Sequence, residues 1–200
     1  MLVYLVRHGQ SEANAAQMHG GWADTPLTEL GKQQAAATAK LLEGIEFVVG
    51  FCSDLQRARQ TAAIALPGME FTYTPQIREI SVGNLEWKLY ADMEKQLGES
   101  YLRNRAEADY SPYGGESRQD LLRRCGDFLE MLRREQPGQR VAVVCHAGAI
   151  KCMTQYVLGV DVPLDRLVMG NAAVTILSLK NDHWQLLSWN YTDSNYSDSI

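Results

Sequence analysis

The chain contains two short apolar runs that each end at a histidine, and this arrangement constrains its fold more than any other feature. Residues 2–6 read Leu-Val-Tyr-Leu-Val and are followed at once by Arg7 and His8. Residues 141–145 are almost wholly apolar and are followed by His146. Such runs are typical of parallel strands covered on both faces, and ligands bind at the carboxyl ends of those strands. Both histidines are therefore predicted to lie at one edge of an α/β sheet.

Strand-like and helix-like segments alternate along the rest of the chain. The predicted strands cover residues 2–6, 47–52, 70–74, 140–145, 172–179 and 184–189. The predicted helices cover residues 29–42, 55–66, about 90–108, 117–135 and 149–158. This order predicts a three-layer α/β/α sandwich with a mostly parallel central sheet. One domain is expected over residues 1–200, with a small inserted helical lobe and candidate lid at 83–115 and a flexible tail at 191–200.

Local signals indicate where several elements begin and turn. Thr28 is a candidate N-cap for the first long helix. Residues 53–56, Ser-Asp-Leu-Gln, fit a capping box that opens the next helix. The polar residues 180–183 separate the last two strand patterns and predict a terminal hairpin.

Composition limits the classes of partner. The formal net charge of −5 argues against a non-specific nucleic-acid binder, so an anionic substrate must be attracted by a local group of cations. No run approaches the about 18 apolar residues of a membrane span, and residues 2–6 are too few for a signal peptide. The four cysteines lie singly, without metal-type pairs, and are predicted to be reduced and structural. We therefore expect a cytoplasmic protein, monomer or homodimer, with no membrane partner.

The first candidate site contains Arg7 and His8. A guanidinium can grip phosphate oxygens while an imidazole nitrogen attacks phosphorus and forms a covalent phosphoryl intermediate. Ser11 and Asn14 can add neutral hydrogen bonds to the same oxygens. A histidine at a strand end is, taken alone, more often structural than catalytic.

Three further blocks carry suitable chemistry. Arg57 lies one turn inside a helix that follows a strand, so its charge and the helix N-terminus can face an anion. Arg59 points about 200° around that helix and is the weaker candidate. A carboxylic acid in residues 77–86, which contain Glu79 and Glu86, can protonate a leaving alkoxide, and His146 can stabilise a transferred phosphoryl group as a cation or as a donor. Each of these residues, in isolation, is more often an ordinary surface or structural residue.

Taken together and in this order, the four blocks resemble the histidine phosphatase superfamily. Within it, the chain is similar to the phosphoglycerate mutase-like branch and its phosphatase relatives. Residues 24–31, the Gly115-Glu116-Ser117 block and the Gly170-Asn171 pair fit that pattern as well. The resemblance extends from residue 2 to about residue 179.

The resemblance implies a role for each main candidate. His8 corresponds to the phosphohistidine nucleophile and His146 to its electrostatic partner. Arg7 and Arg57 correspond to phosphate clamps, and Glu79 to the proton donor for the leaving group. No metal or cofactor is implied, because these side chains supply the positive charge.

The resemblance also implies supporting residues for the phosphate or the substrate. These are Asn14, Gly20, Gly21 and Gly148. One departure from the family pattern is Trp87, which stands where a glycine is common after the glutamate. An apolar-aromatic pocket wall is therefore expected from Trp22, Leu85, Trp87 and Tyr90.

These observations predict an enzyme, a metal-independent phosphomonoesterase that hydrolyses a small phosphorylated metabolite through phosphohistidine on His8. A cofactor-dependent phosphoglycerate mutase-type transfer is one alternative. A mutase needs a cover that excludes water from the site. The family's glycolytic mutases have extra chain between the positions that match Glu79 and His146, and this chain lacks much of it. A non-catalytic phosphate-binding module is the other alternative.

Overall fold

The computed structural model describes residues 1–192. Its strands are β1 Leu2–Arg7, β2 Val49–Ser53, β3 Thr72–Thr74, β4 Arg140–Cys145, β5 Val174–Lys180 and β6 His183–Tyr191. Its α-helices are α1 Glu12–Ala15, α2 Glu29–Leu41, α3 Gln56–Ala65, α4 Tyr90–Glu107, α5 Arg118–Glu135 and α6 Ala147–Leu158. The predicted alternation of strands and helices is confirmed.

The six strands form one mixed sheet in the order β3-β2-β4-β1-β5-β6. The pairs β3–β2, β2–β4 and β4–β1 are parallel, whereas β1–β5 and β5–β6 are antiparallel. Arg7 lies opposite Cys145 in the β1–β4 register. The carboxyl ends of β1, β2 and β4 therefore meet at one edge of the sheet. The predicted mostly parallel sheet and the terminal hairpin are both confirmed.

Helices cover both faces of the sheet because side chains alternate along the strands. Leu5 of β1 faces the core formed with α5, where Phe128 is fully buried. Val6, the next residue, faces the opposite core, where Ala58 of α3 packs. Both cores exclude solvent from the central strands, and the predicted three-layer α/β/α arrangement is confirmed.

Residues 83–115 form the predicted helical lobe around α4, with short 3₁₀ turns before and after it. Backbone hydrogen bonds tie its beginning to the loop after α1. The His19 N–H donates to the Lys88 carbonyl at 2.9 Å, and the Trp87 N–H donates to the His19 carbonyl at 3.0 Å. The lobe is thereby held against a loop that is distant in sequence.

Helix boundaries show where local signals succeed and fail. The Thr28 hydroxyl caps α2 by accepting from the Gly31 N–H at 3.0 Å, as predicted. The predicted capping box at 53–56 is wrong: α3 begins at Gln56, with Leu55 as N-cap and no side-chain cap. Instead, the Asp24 carboxylate accepts from the Gln56 N–H at 2.6 Å. A tertiary contact thus replaces the local cap.

The structure also bears on the predictions for the cysteines, for membrane-spanning helices and for the C-terminal tail. The four cysteines are buried and unpaired, as predicted. Among the helices within residues 1–192, none combines the length and apolar character that a bilayer crossing requires. The predicted tail was placed from residue 191, but Tyr191 belongs to β6. The remainder of that prediction, residues 193–200, lies outside the described residues.

The loop after β1 packs against the start of α2 with no space between the two backbones. A Cβ on Gly9 would lie 2.3 Å from the Gly31 carbonyl oxygen, and a Cβ on Gly31 would lie 2.0 Å from the Gln10 carbonyl oxygen. The Gly9 N–H also donates to the Thr61 hydroxyl of α3 at 3.0 Å. These contacts fix the backbone that carries His8.

We expect Gly31→Ala to destabilise the protein by about 1–3 kcal/mol, because the new methyl group meets backbone that cannot move aside. Alanine favours a helix by about 1 kcal/mol over glycine, so the clash must exceed that gain. Urea unfolding measures the difference. Lys32→Ala, at the exposed neighbouring position, is the control and should change stability by less than about 0.5 kcal/mol. A Gly31→Ala protein as stable as the original would contradict the close approach.

Candidate functional site

A cavity of about 320 Å³ opens at the carboxyl edge of the sheet, beneath the lobe. This volume is in the range of sites for small ligands. Nine of the eleven residues predicted for the site line it: Arg7, His8, Ser11, Asn14, Gly20, Gly21, Arg57, Glu79 and Gly148. A larger apolar groove of about 600 Å³ near the ends of α2 and α3 contains none of them.

The geometry of His8 leaves one ring nitrogen available to a ligand. Its backbone is held between β4 and the turn before β5, since its N–H donates to the Cys145 carbonyl at 3.0 Å and its carbonyl accepts from the Ala172 N–H at 3.1 Å. The ring Nδ1 lies 2.7 Å from the Gly9 carbonyl oxygen. A carbonyl only accepts, so Nδ1 carries the hydrogen and Nε2 keeps its lone pair.

The surroundings of His8 keep its ring neutral. Burial is the largest effect, and the positive charges of Arg57 and Arg7 add to it; together they lower the pKa of His8 well below its usual 6.5. Only 3% of the residue is exposed. At neutral pH, the ring is therefore uncharged and Nε2 carries a lone pair.

His146 lies beside His8, with 5.0 Å between the ring centroids. It is the N-cap residue of α6 and is fully buried, so it does not form part of the cavity wall. Its Nε2 is 2.8 Å from the Ser53 hydroxyl, and its buried Nδ1 has no hydrogen-bond partner within the described residues. Burial, followed by the charge of Arg57, lowers the pKa of His146 well below its usual value. In this form the ring is a neutral hydrogen-bonding group rather than a cation.

Two guanidinium groups flank His8. Arg57, in the first turn of α3, is 3% exposed and donates to the Ala23 and Gly21 carbonyls at 2.8 Å each. Burial lowers the pKa of Arg57 to about 10, so it remains charged at neutral pH. Arg7 donates to the Met169 carbonyl, and its buried Nε has no partner among residues 1–192. Neither arginine forms an ion pair in that part of the chain, which makes the cavity attractive to an anion.

Ser11 and Asn14 line the cavity and also cap α1. The Asn14 N–H donates to the Ser11 hydroxyl at 3.3 Å, and the Ser11 N–H donates to the Asn14 side-chain oxygen at 3.1 Å. This reciprocal capping box shapes the loop between β1 and α1. Gly20 and Gly21 contribute backbone to the same wall, and the Gly21 carbonyl accepts from Arg57.

The carboxylate of Glu79 is held by two backbone donors. Oε1 accepts from the Ile80 N–H at 2.9 Å, and Oε2 accepts from the Gly148 N–H, at the start of α6, at 3.1 Å. A Cβ on Gly148 would lie 2.1 Å from Oε1. Gly148 lines the cavity, and because it has no side chain, the Glu79 carboxylate can lie directly against it.

Sequence reasoning missed the residues that brace Glu79. Arg124 of α5 forms a 2.8 Å ion pair with Glu116 and donates to the Glu79 carbonyl at 2.8 Å. It also donates to the carbonyls of Gln76 and Arg78. One partly buried guanidinium thus anchors the segment from Gln76 to Glu79, and nothing local in the sequence marks that role.

Some expected positions fall outside the cavity. Arg59 does not join the other candidates: its guanidinium lies over the Tyr73 ring at 5.5 Å on the exposed side of α3, as its position around the helix allows. The expected apolar-aromatic wall is also wrong except for Tyr90, which lines the cavity. Leu85 is buried in the core, and Trp87 is 55% exposed.

The two tryptophans have structural explanations of their own. Trp87 has a φ of +66°, in the left-handed region, which explains why a glycine suits this position in the family. Trp22 donates its indole N–H to the Glu79 carbonyl at 2.8 Å instead of lining the cavity. It supports the carboxylate segment from outside.

The cavity wall includes polar residues that sequence reasoning did not single out. These are His19, Arg105, Tyr110, Lys151 and Asp165. Lys151 lies in the first turns of a helix that follows a strand, which is the signal that identified Arg57. Within residues 1–192, no group of three or more His, Cys, Asp or Glu side chains is placed to hold a metal ion.

Comparison of the chain with a model of a known protein family identifies its superfamily. The model of the histidine phosphatase superfamily, branch 1, matches residues 3–192. The chain belongs to this superfamily. The resemblance noted from the four blocks is therefore confirmed, and so is the prediction of an enzyme of the phosphoric monoester hydrolase family.

Individual relatives in the superfamily have different names. The chain is 32% identical to a probable phosphoglycerate mutase of Photorhabdus laumondii over 94% of this chain and 89% of that protein. It is 31% identical to a metal-independent phosphoserine phosphatase of Arabidopsis thaliana over 94% and 80%. The structure of a mycobacterial glucosyl-3-phosphoglycerate phosphatase with VO3 superposes with a TM-score of 0.86 at 31% identity, covering 96% of this chain and 99% of that chain.

We expect His8 in the free protein to be neutral at pH 6.5 and to gain its second proton only at a lower pH, because it is buried beside two guanidinium groups. The hydrogen of the neutral ring should lie on Nδ1. Heteronuclear NMR of the ring nitrogens in phosphate-free buffer measures both properties. Arg57→Gln removes one positive charge and should raise the pKa of His8. Arg59→Gln removes the same charge from the outer face of α3 and serves as the control, with no change expected. A His8 ring that gains its second proton at or above pH 6.5 would contradict the electrostatic argument.

Proposed function

We propose that this protein is a metal-independent phosphomonoesterase that hydrolyses a small phosphorylated metabolite through a phosphohistidine intermediate on His8. The observation that carries the proposal is the state of His8, whose neutral ring has an uncommitted Nε2 between Arg7 and Arg57. Glu79 lines the same cavity and can act as the acid. No cofactor takes part.

In the first step, His8 Nε2 attacks phosphorus in line with the leaving oxygen. The N–P bond forms while the P–O bond breaks, and a protonated Glu79 gives its proton to the departing alkoxide. Arg7 and Arg57 hold the equatorial oxygens as the charge on them shifts. His146 has Nε2 engaged with Ser53 and does not line the cavity of the free protein, so only its buried Nδ1 is left to bond to a phosphoryl group on His8.

In the second step, water replaces the alcohol. The Glu79 carboxylate accepts a proton from the water, whose oxygen attacks phosphorus while the N–P bond breaks. Inorganic phosphate leaves, and the electron pair returns to His8 Nε2. The Gly9 carbonyl keeps the hydrogen on Nδ1 throughout, so the ring presents the same nitrogen in the next cycle.

Two relatives support a phosphatase that acts on a small metabolite: one is a phosphoserine phosphatase and the other is a glucosyl-3-phosphoglycerate phosphatase. The probable phosphoglycerate mutase among the relatives favours a second candidate, a mutase-type transfer. The two reactions share the first step and differ in whether phosphohistidine is attacked by water or by a second alcohol. Exchange of 2- and 3-phosphoglycerate with 2,3-bisphosphoglycerate, if faster than phosphate release, would identify the mutase.

Trapping of the intermediate tests the proposal. In a Glu79→Gln variant, 4-nitrophenyl phosphate should still phosphorylate His8, because its leaving group needs no protonation. Hydrolysis of phosphohistidine should then be slow, because no carboxylate activates the water. We expect one acid-labile phosphoryl group per chain, located on His8 by mass spectrometry under alkaline conditions and formed in the presence of a chelator.

The matched control is the double variant His8→Asn with Glu79→Gln, which should carry no label. A label on another residue contradicts the mechanism. Hydrolysis by the original protein in the presence of a chelator, with no phosphoryl group on His8, also contradicts it. An original protein that binds phosphate but hydrolyses neither aryl nor alkyl phosphates would instead be the non-catalytic module.

We expect Gly148→Ala to impair protonation of the leaving group without unfolding the protein. The new methyl group meets the Glu79 carboxyl oxygen, the end of a flexible side chain that can move aside. General acid catalysis contributes about 10²–10⁴ in rate, so alkyl phosphate hydrolysis should fall by about 10² or more. The initial burst of 4-nitrophenol from 4-nitrophenyl phosphate should fall by much less.

Combining Gly148→Ala with Glu79→Gln provides the control. If both changes act on one carboxyl group, the double variant should hydrolyse alkyl phosphates no more slowly than Glu79→Gln alone. Multiplied effects in the double variant, or equal losses for alkyl and aryl substrates, would show that Gly148 acts by another route.

A further inference from the structure

The hydroxyl of Ser53 contacts one of the two histidines of the site. Ser53 is the last residue of β2 and is fully buried. In the parallel β2–β4 pair, Cys52 lies opposite Val144, so the residues that follow them emerge together at the edge of the sheet where His146 precedes α6. The Ser53 hydroxyl oxygen lies 2.8 Å from Nε2 of His146. The hydroxyl that the sequence pattern predicts as part of a helix cap therefore contacts the second histidine instead.

The partners of this hydroxyl decide which way its hydrogen points. Within residues 1–192, the Ser53 hydroxyl oxygen has two hydrogen-bond partners, the Leu55 N–H at 3.4 Å and His146 Nε2. A backbone N–H can only donate, so the oxygen accepts from Leu55. The hydroxyl hydrogen then has one acceptor left, the lone pair of Nε2. Ser53 is therefore a donor to His146.

The opposite direction leaves more buried groups without partners. If Nε2 carried the ring hydrogen and donated to Ser53, both the hydroxyl hydrogen and the Nδ1 lone pair would lack a partner in the described part of the chain. With the ring hydrogen on Nδ1, only that N–H lacks a partner among the same residues. Each buried polar group without a partner costs free energy, so the hydrogen is favoured on Nδ1.

The position of this hydrogen determines how His146 meets a phosphoryl group on His8. The centroids of the two rings are 5.0 Å apart. Phosphoryl oxygens carry negative charge, so an N–H at Nδ1 attracts them, whereas a lone pair at Nδ1 repels them. The hydrogen bonds from Leu55 to Ser53 and from Ser53 to His146 run in one direction, so each polarises the next. This polarisation strengthens Nδ1 as a donor.

We propose that Ser53 is a positioning residue, whose hydroxyl donates to Nε2 of His146 and thereby holds the ring hydrogen on Nδ1, where it can donate to a phosphoryl oxygen. No proton leaves His146 during the reaction. The inference rests on the proposed phosphatase function and adds the residue that sets the state of its second histidine.

Nitrogen NMR of the unaltered protein tests the direction of the bond without a substrate. At neutral pH in phosphate-free buffer, we expect His146 to carry its hydrogen on Nδ1 and a lone pair on Nε2. The chain has four histidines, so the signals of His146 are identified by their loss in a His146→Asn variant. A ring hydrogen on Nε2 would overturn the inference and leave the mechanism on His8 intact.

Variants of Ser53 test the consequence for the reaction. Ser53→Ala removes the donor, so the His146 hydrogen should divide between the two nitrogens. The kcat for 4-nitrophenyl phosphate should fall by about tenfold to a hundredfold, the usual effect of one hydrogen bond to a charged group. Ser53→Thr keeps a hydroxyl and should retain most of the rate and the hydrogen on Nδ1.

Thr154→Val is the matched control, because it also removes a buried hydroxyl. Thr154 lies in α6, and its hydroxyl has no hydrogen-bond partner among residues 1–192. This change should alter neither kcat nor the position of the His146 hydrogen.

A double variant separates this role from simple packing. If Ser53 acts through His146, adding Ser53→Ala to His146→Asn should lower kcat by less than about threefold further. An equal loss in both backgrounds would overturn the inference, and so would a Ser53→Ala protein that keeps its kcat and its hydrogen on Nδ1. Absence of phosphohistidine on His8 would refute the proposed function itself, whereas the nitrogen signals of His146 would still test the Ser53 bond.

Discussion

The parallel pairing of β1 with β4 is the interaction on which the site depends. Arg7 lies opposite Cys145, so the residues that follow them, His8 and His146, emerge side by side with ring centroids 5.0 Å apart. The bond from the His8 N–H to the Cys145 carbonyl extends this register by one residue. A slip of one position would turn His8 to the other face of the sheet, because side chains alternate along a strand.

Buried positive charge is the second requirement, and it acts against the average charge of the molecule. The chain carries a net charge of −5, yet Arg7 and Arg57 lie at the cavity and donate to backbone carbonyl oxygens. Carbonyl contacts offset part of the cost of burying a guanidinium but do not cancel its charge. The remaining charge adds to the effect of burial in keeping His8 neutral, and it is available to a phosphoryl group.

Glu79, the residue proposed as the acid, is positioned in a different way. Glu79 lies outside the α-helices and strands, so its position depends on side chains that bond to its backbone. Arg124 and Trp22 both donate to its carbonyl, while Gly148 provides an N–H and the space for its carboxylate. A loop fixed in this way can hold a catalytic group as firmly as a regular element does.

The sequence by itself determined the strands, the helices and the residues at strand ends and helix starts, because apolar periodicity and capping are local properties. The role of Glu79 came from family resemblance. Tertiary structure decided the His8 tautomer, the exclusion of Arg59 and the presence of Arg105 in the cavity wall. Those outcomes depend on how the lobe packs across the sheet edge, through contacts between segments far apart in sequence, and no local pattern records such contacts.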